Sequence, residues 1–130
     1  MKLVAILAIA VGTCAFAPPD LRDFEPPEHY REVFREAVAC TGRYRPYERI
    51  RWSELPGKSF KCKSGMCIGH WQSPDHITIA HEWRGIDWVV RHEIIHFLYQ
   101  RGHWDGDWEV FGKACKATWG WLGDDPNYRP

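Results

Sequence analysis

The stretch from Trp88 to Tyr99 is what most limits the folds open to this chain. It contains no Gly or Pro, its apolar residues Val90, Ile94, Phe97 and Leu98 recur at helical steps, and Gly85 and Gly102 flank it. This pattern predicts a helix from about Trp88 to Gln100, with Asp87 as its N-cap and Gly102 as its terminator. Within it lies His92-Glu93-Ile94-Ile95-His96, an H-E-x-x-H pattern. At that spacing both imidazoles leave the same face of the helix one turn apart. Two ring nitrogens could then share one Zn²⁺ at about 2.0–2.1 Å each. Glu93, beside the first ligand, borders the side of the metal where a water would sit. A carboxylate there can take a proton from a water whose pKa the metal has lowered towards ~7. The plainer alternative is a core helix whose histidines are satisfied by hydrogen bonds. That helix would bury two His and a Glu on adjacent faces, and each would need a partner.

These residues resemble the motif of the zincin metallopeptidases, with the resemblance spanning His92 to His103. It implies a helix carrying two zinc ligands, His92 and His96, a general base, Glu93, and a third protein ligand downstream. Metzincins continue as H-E-x-x-H-x-x-G-x-x-H with a later Met turn, but here Tyr99 and Gly102 occupy those positions and neither Met1 nor Met66 lies downstream. Gluzincins take a Glu from a later helix, for which Glu109 is the candidate. Aspzincins take a later Asp, either Asp105 or Asp107 here, but their surrounding Gly-Thr pattern is absent. Gly102-His103 is similar to an arrangement in small SprT-like zincins. On an unbroken helix His103 would stand about 10 Å beyond His96, too far to share an ion. A left-handed cap at Gly102 would turn the chain back and bring it within reach. His103 is therefore the expected third ligand, with Glu109, Asp105 and Asp107 as alternatives. Asp105 or Asp107 would also suit the task of orienting a ligand.

At 130 residues the chain suits one domain with one modest core. Residues 1–17 read as a secretory signal peptide: Met1-Lys2, an apolar run Leu3 to Val11, then small residues to Ala17. The run is too short for a comfortable membrane span. Val11-Gly12-Thr13-Cys14 faintly resembles a lipoprotein attachment site, but Thr13 suits it poorly, so a soluble secreted or periplasmic product is preferred to a lipid anchor at Cys14. Residues 18–26, rich in Pro and acid, read as an extended arm, 27–122 as the zincin-like domain and 123–130 as a tail. Removing residues 1–17 takes away Lys2 and no acid, leaving 16 basic against 17 acidic residues. That balance excludes nucleic acid and an anionic membrane as natural partners, and no Gly-rich phosphate loop is present. The basic, aromatic cluster from Arg43 to Arg51 is interrupted by Glu48 and reads as a solvated strand entry.

Four cysteines remain after the leader: Cys40, Cys62, Cys67 and Cys115. In an exported domain they imply two disulfides. Cys62 and Cys67 flank a Gly turn and can close locally, which leaves Cys40 to pair with Cys115. A metal knuckle at Cys62 and Cys67 is the competing reading, though it would want two more ligands.

The first helix is expected from Pro27-Glu28-His29, with Tyr30, Val33, Phe34, Ala37 and Val38 on one face and a stop at Gly42. Tyr47 to Trp52 looks strand-like, Pro56-Gly57 marks a turn, and Ser59 to Cys62 leads into the cysteine loop. Met66 to Trp71 and His76 to His81 read as two strands separated by Ser73-Pro74-Asp75. A last helix is expected from Trp108 to about Trp119. The result is an α+β domain: an N-terminal helix, a small antiparallel or mixed sheet, the H-E-x-x-H helix and a C-terminal helix. Eight Trp supplement a core that a short chain fills with difficulty. A sugar-stacking surface is the alternative use for them.

The expected function is that of a secreted, monomeric zinc-dependent peptidase acting on peptide or protein substrates. The resemblance also implies that substrate joins the strand Ile77–Ala80 by backbone pairing. The alternatives are a non-catalytic, disulfide-stapled zinc-binding domain and a glycan-binding module.

Overall fold

Helix α1 (His29–Thr41) follows Pro26-Pro27 and buries Tyr30, Val33, Phe34 and Ala37 on one face. It ends where the sequence places its stop: Gly42 is left-handed, with φ 66°, and its N–H donates to the Val38 carbonyl. The computed structural model describes Pro18 and residues 20–118. The signal peptide, the attachment site at Cys14, Trp119, Trp121 and the tail lie outside the described residues.

Among the described residues six short strands follow the α+β plan. β1 (Arg22–Asp23), β2 (Arg51–Leu55), β5 (Gly69–Gln72) and β6 (His76–Ala80) form one mixed sheet in the order β1-β2-β6-β5. β2 and β6 run parallel, and the β1/β2 and β5/β6 pairs are antiparallel. β3 (Phe60–Cys62) and β4 (Gly65–Cys67) form a separate hairpin. The expected extended arm thus joins the sheet through β1. Tyr47 to Trp52 splits into a 3₁₀ turn at Tyr47–Arg49 and the start of β2. The stretch Met66 to Trp71, expected as one strand, divides at Ile68 between hairpin and main sheet. In β6 the alternation holds: Ile77 and Ile79 are fully buried, while Thr78 bonds Ser53 on the next strand at 3.0 Å.

Helix α2 (Asp87–Tyr99) packs against both α1 and the sheet and is buried almost all round from Val89 to Leu98. Its apolar side chains each contribute about 1.5–3 kcal/mol on burial, so packing as well as any bound ion holds this helix in place. Two expectations at its ends are corrected. Ile86, not Asp87, occupies the N-cap position, with its carbonyl receiving the N–H groups of Val89 and Val90. Asp87 instead faces His29 at 3.6 Å. At the other end the left-handed residue is Gln100, with φ 53°, and not Gly102. The Gln100 side-chain amide donates to the carbonyls of Phe97 and Pro74, both at 2.7 Å. Those bonds offset the roughly 1 kcal/mol cost of a left-handed non-Gly residue.

The expected C-terminal helix is much shorter: a single π-helical segment, Glu109–Ala114, followed by Cys115. Gly112 lies so close to the Trp108 indole that an added Cβ would meet it at 2.5 Å. Both expected disulfides form. Cys40–Cys115 ties α1 to this segment across 75 residues, and Cys62–Cys67 closes the β3–β4 hairpin.

Candidate metal centre

His92 and His96 project from one face of α2, and the turn made at Gln100 carries the chain back so that His103 meets them. The Nε2 atom of His92 lies 3.3 Å from that of His103 and 3.3 Å from that of His96. Each ring is held from behind through Nδ1. His92 donates to the Ala117 carbonyl at 2.8 Å, His96 to the Arg101 carbonyl at 2.8 Å, and His103 to the Asp107 carboxylate at 2.5 Å. A ring that donates through Nδ1 presents an Nε2 lone pair, so three acceptor atoms converge on one point. Phe111 packs against all three rings, with centroids 4.6, 4.8 and 5.2 Å away. This cluster could hold a metal ion.

Burial keeps both helix histidines neutral. The His92 pKa is driven down to about 4, chiefly by burial and against the raising effect of its bond to Ala117. His96 is lowered to about 3, again chiefly by burial and then by the neighbouring His92. Neutral imidazole is the form that binds metals.

Glu93 points from the same helix into a seat made by β5. Its pKa is pushed up to about 8 by burial, against the lowering effect of the Trp71 backbone N–H. Gly69 is indispensable to that seat. A Cβ there would stand 2.7 Å from Glu93 Oε1, 2.9 Å from its Cγ and 3.1 Å from its Cδ. The Trp71 indole stacks on His96 with ring centroids 6.2 Å apart and planes 13° from parallel. A cavity of about 530 Å³ opens over the cluster, with Lys63, Gly69, Trp71, Glu93 and His103 among its walls. A second cavity, bordered by Met66, Ile68, Trp88 and Val89, also reaches Glu93 and shares Cys67, Gly69 and His92 with the first.

The alternative third ligands stand elsewhere. Glu109 is exposed and pairs with Lys113 at 2.7 Å, and Asp105 is exposed and outside the cluster. Asp107 holds His103 in orientation and also accepts from the Trp104 backbone N–H at 3.3 Å. His81 bonds Glu54 and His76 bonds Ser53. Cys62, Cys67 and His70 also lie close together, but both sulfurs are joined in the disulfide and are not thiolates. Sequence reasoning missed Gly69, Trp71, Phe111 and Ala117. Their parts depend on chain segments brought to α2 by the fold, and no local pattern marks them.

No family model, curated protein or solved structure matches this chain.

Proposed function

We propose that this protein is an exported zinc-dependent peptidase of zincin-like type, with His92, His96 and His103 as ligands and Glu93 as general base. The observation that carries this reading is three oriented imidazole nitrogens converging beside a buried carboxylate. The donor set suits zinc: tetrahedral bonds of about 2.0–2.1 Å require ligand nitrogens about 3.3 Å apart. The Nε2 atom of His92 stands 3.3 Å from each of its two partners. Three protein ligands leave a fourth position open, as catalytic sites do and closed structural sites do not.

Bound zinc would supply Lewis acidity, lowering the pKa of water and polarising a peptide carbonyl. The chain's own groups handle the proton. A divalent cation beside Glu93 would draw its pKa back below the value of about 8 that burial alone produces, and the carboxylate then takes the proton from the attacking water and returns it to the leaving amine. Gly69 and the Trp71 backbone hold that carboxylate in its seat, and Trp71 and Phe111 pack against the buried His96 ring. A recognition or structural domain would have no use for a buried base in that position.

Substrate pairing moves to a different strand from the one expected. Ile77–Ala80 belongs to β6, which is paired on both sides, whereas β5 is the edge beside the cavity. An extended peptide would therefore add to Gly69–Gln72. Two disulfides accord with an oxidising compartment such as the periplasm or the cell exterior. Among the described residues no helix is long and apolar enough to cross a membrane.

Metal analysis of the purified protein, joined to a peptide-library cleavage assay before and after chelation, tests the proposal. One zinc per chain and cleavage that chelation abolishes and zinc restores are expected. Zinc without any cleavage would leave a binding domain, and cleavage indifferent to chelation would overturn the mechanism.

A further inference from the structure

β5 offers an extended peptide two chemically different sides. Ala80 N–H donates to the Ile68 carbonyl at 2.8 Å, and the register pairs His70 with Thr78 and Gln72 with His76. By antiparallel alternation Ile68, His70 and Gln72 carry the bonds to β6, while Gly69 and Trp71 turn their backbone groups outward. The Glu93 carboxylate takes the Trp71 N–H, and an added strand would replace it there. A strand added there would send alternate side chains to opposite faces. Those opposite Gly69 and Trp71 would face α2 and the histidine cluster. Their immediate neighbours would face a separate cavity of about 610 Å³ on the other side of the sheet.

That cavity has an apolar floor, including Leu21, Leu55 and Phe60, and a rim bearing Lys61 and Lys63. No carboxylate is found among the described residues lining it. Asp20 is next in sequence to Leu21 but does not contribute to the wall. Lys63 also borders the cavity over the histidines, so one cation touches both spaces. The whole chain is balanced at 17 basic and 17 acidic residues, which makes this wall a local charge bias. His70 is half-buried and burial lowers its pKa, so the positive charge comes from the two lysines.

We propose that the protein selects extended peptides with acidic side chains at alternate positions, using Lys61 and Lys63 on the far side of its edge strand. The cleavage part of this inference rests on the peptidase reading, whereas the docking part does not. Binding is therefore measured on the full-length Glu93→Gln variant, in which any turnover should be at least about 10²-fold slower, with fluorescein-labelled peptides at low salt. A peptide bearing Glu at alternate positions should bind about tenfold more tightly than its Lys counterpart. It should also bind more tightly than a peptide of equal net charge whose Glu residues are adjacent. Lys61→Glu combined with Lys63→Glu should reverse the order between the Glu and Lys peptides. Equal affinity for all three peptides, or an acid preference that the charge reversal leaves intact, would overturn the proposal. Sedimentation showing a dimer that the same reversal dissociates would also overturn it, by giving this edge to a second copy of the chain. Selective binding with no cleavage by the parent protein would support the docking surface and refute the peptidase reading alone.

Discussion

Gly69→Ala tests the link between the sheet and the chemistry at one atom. The added methyl would sit 2.7 Å from Glu93 Oε1 and 2.9 Å from its Cγ, where carbon and oxygen normally keep beyond about 3.4 Å. Something must yield by several tenths of an ångström. The β5 backbone is held by its register with β6, and Glu93 is buried to 6% exposure on a packed helix, so the carboxylate must turn away from Trp71. Overpacking of this kind costs roughly 1–3 kcal/mol of stability. A reacting group displaced by about 1 Å can lose about 10²-fold in rate, so a fall in kcat of about 10- to 100-fold is expected. The three atoms nearest the added methyl all belong to Glu93, so a zinc ion held by His92, His96 and His103 as proposed should remain at one per chain. KM should change little, because the methyl enters the seat of the base and leaves the outward backbone of the strand free. The assay combines steady-state hydrolysis of a peptide substrate, metal analysis and a urea melt. Unchanged kcat and unchanged stability in a fully metallated variant would refute the claim that Gly69 exists to admit Glu93. Loss of zinc would show that the base and the ligands do not move independently.

Three further outcomes follow from the same geometry. Glu93→Gln should keep its zinc and fold while losing about 10²- to 10⁴-fold in turnover, and equal turnover at matched metal occupancy would remove Glu93 from the chemistry. Asp107→Ala frees the His103 ring and should weaken zinc about 10- to 100-fold, as read by competition with a chromogenic chelator. Glu109→Ala should leave zinc affinity unchanged, and the opposite ranking would favour Glu109 as ligand. Replacing Cys40 and Cys115 together by Ala should cost about 2–4 kcal/mol in a denaturant melt, whereas the same change at Cys62 and Cys67, which closes a far shorter loop, should cost less.

Much of the fold class is legible in the chain because periodicity carries it. The face of α1 from Tyr30 to Ala37 and the alternation of Ile77 and Ile79 are local patterns, and the structure buries those residues. The stop of α1 at Gly42 follows from its backbone alone. The end of α2 does not, since Gln100 turns left-handed with help from the carbonyl of Pro74, far away in sequence. Strand order was hidden for a similar reason: β2 pairs with β6 in parallel across a hairpin, and nothing local announces such a crossover. At the candidate site the spacing of His92, Glu93 and His96 is visible in the sequence. The orienting groups Ala117 and Arg101 are not, because they act through backbone carbonyls that any residue could supply.

The contact between Gly69 and Glu93 also acts as a key for strand register. β5 has four residues and one neighbour in the sheet, so hydrogen bonding alone would hold its alignment weakly. Sliding it by one residue would exchange its two faces and bring the side chain of Ile68 or His70 to the place that Gly69 leaves empty. The carboxylate could not then enter. All three histidines lie within the span from His92 to His103 and would still converge. On the proposed peptidase reading a misaligned molecule would load metal and remain inert, so metal content would count the folded helix while turnover would count the correctly threaded sheet.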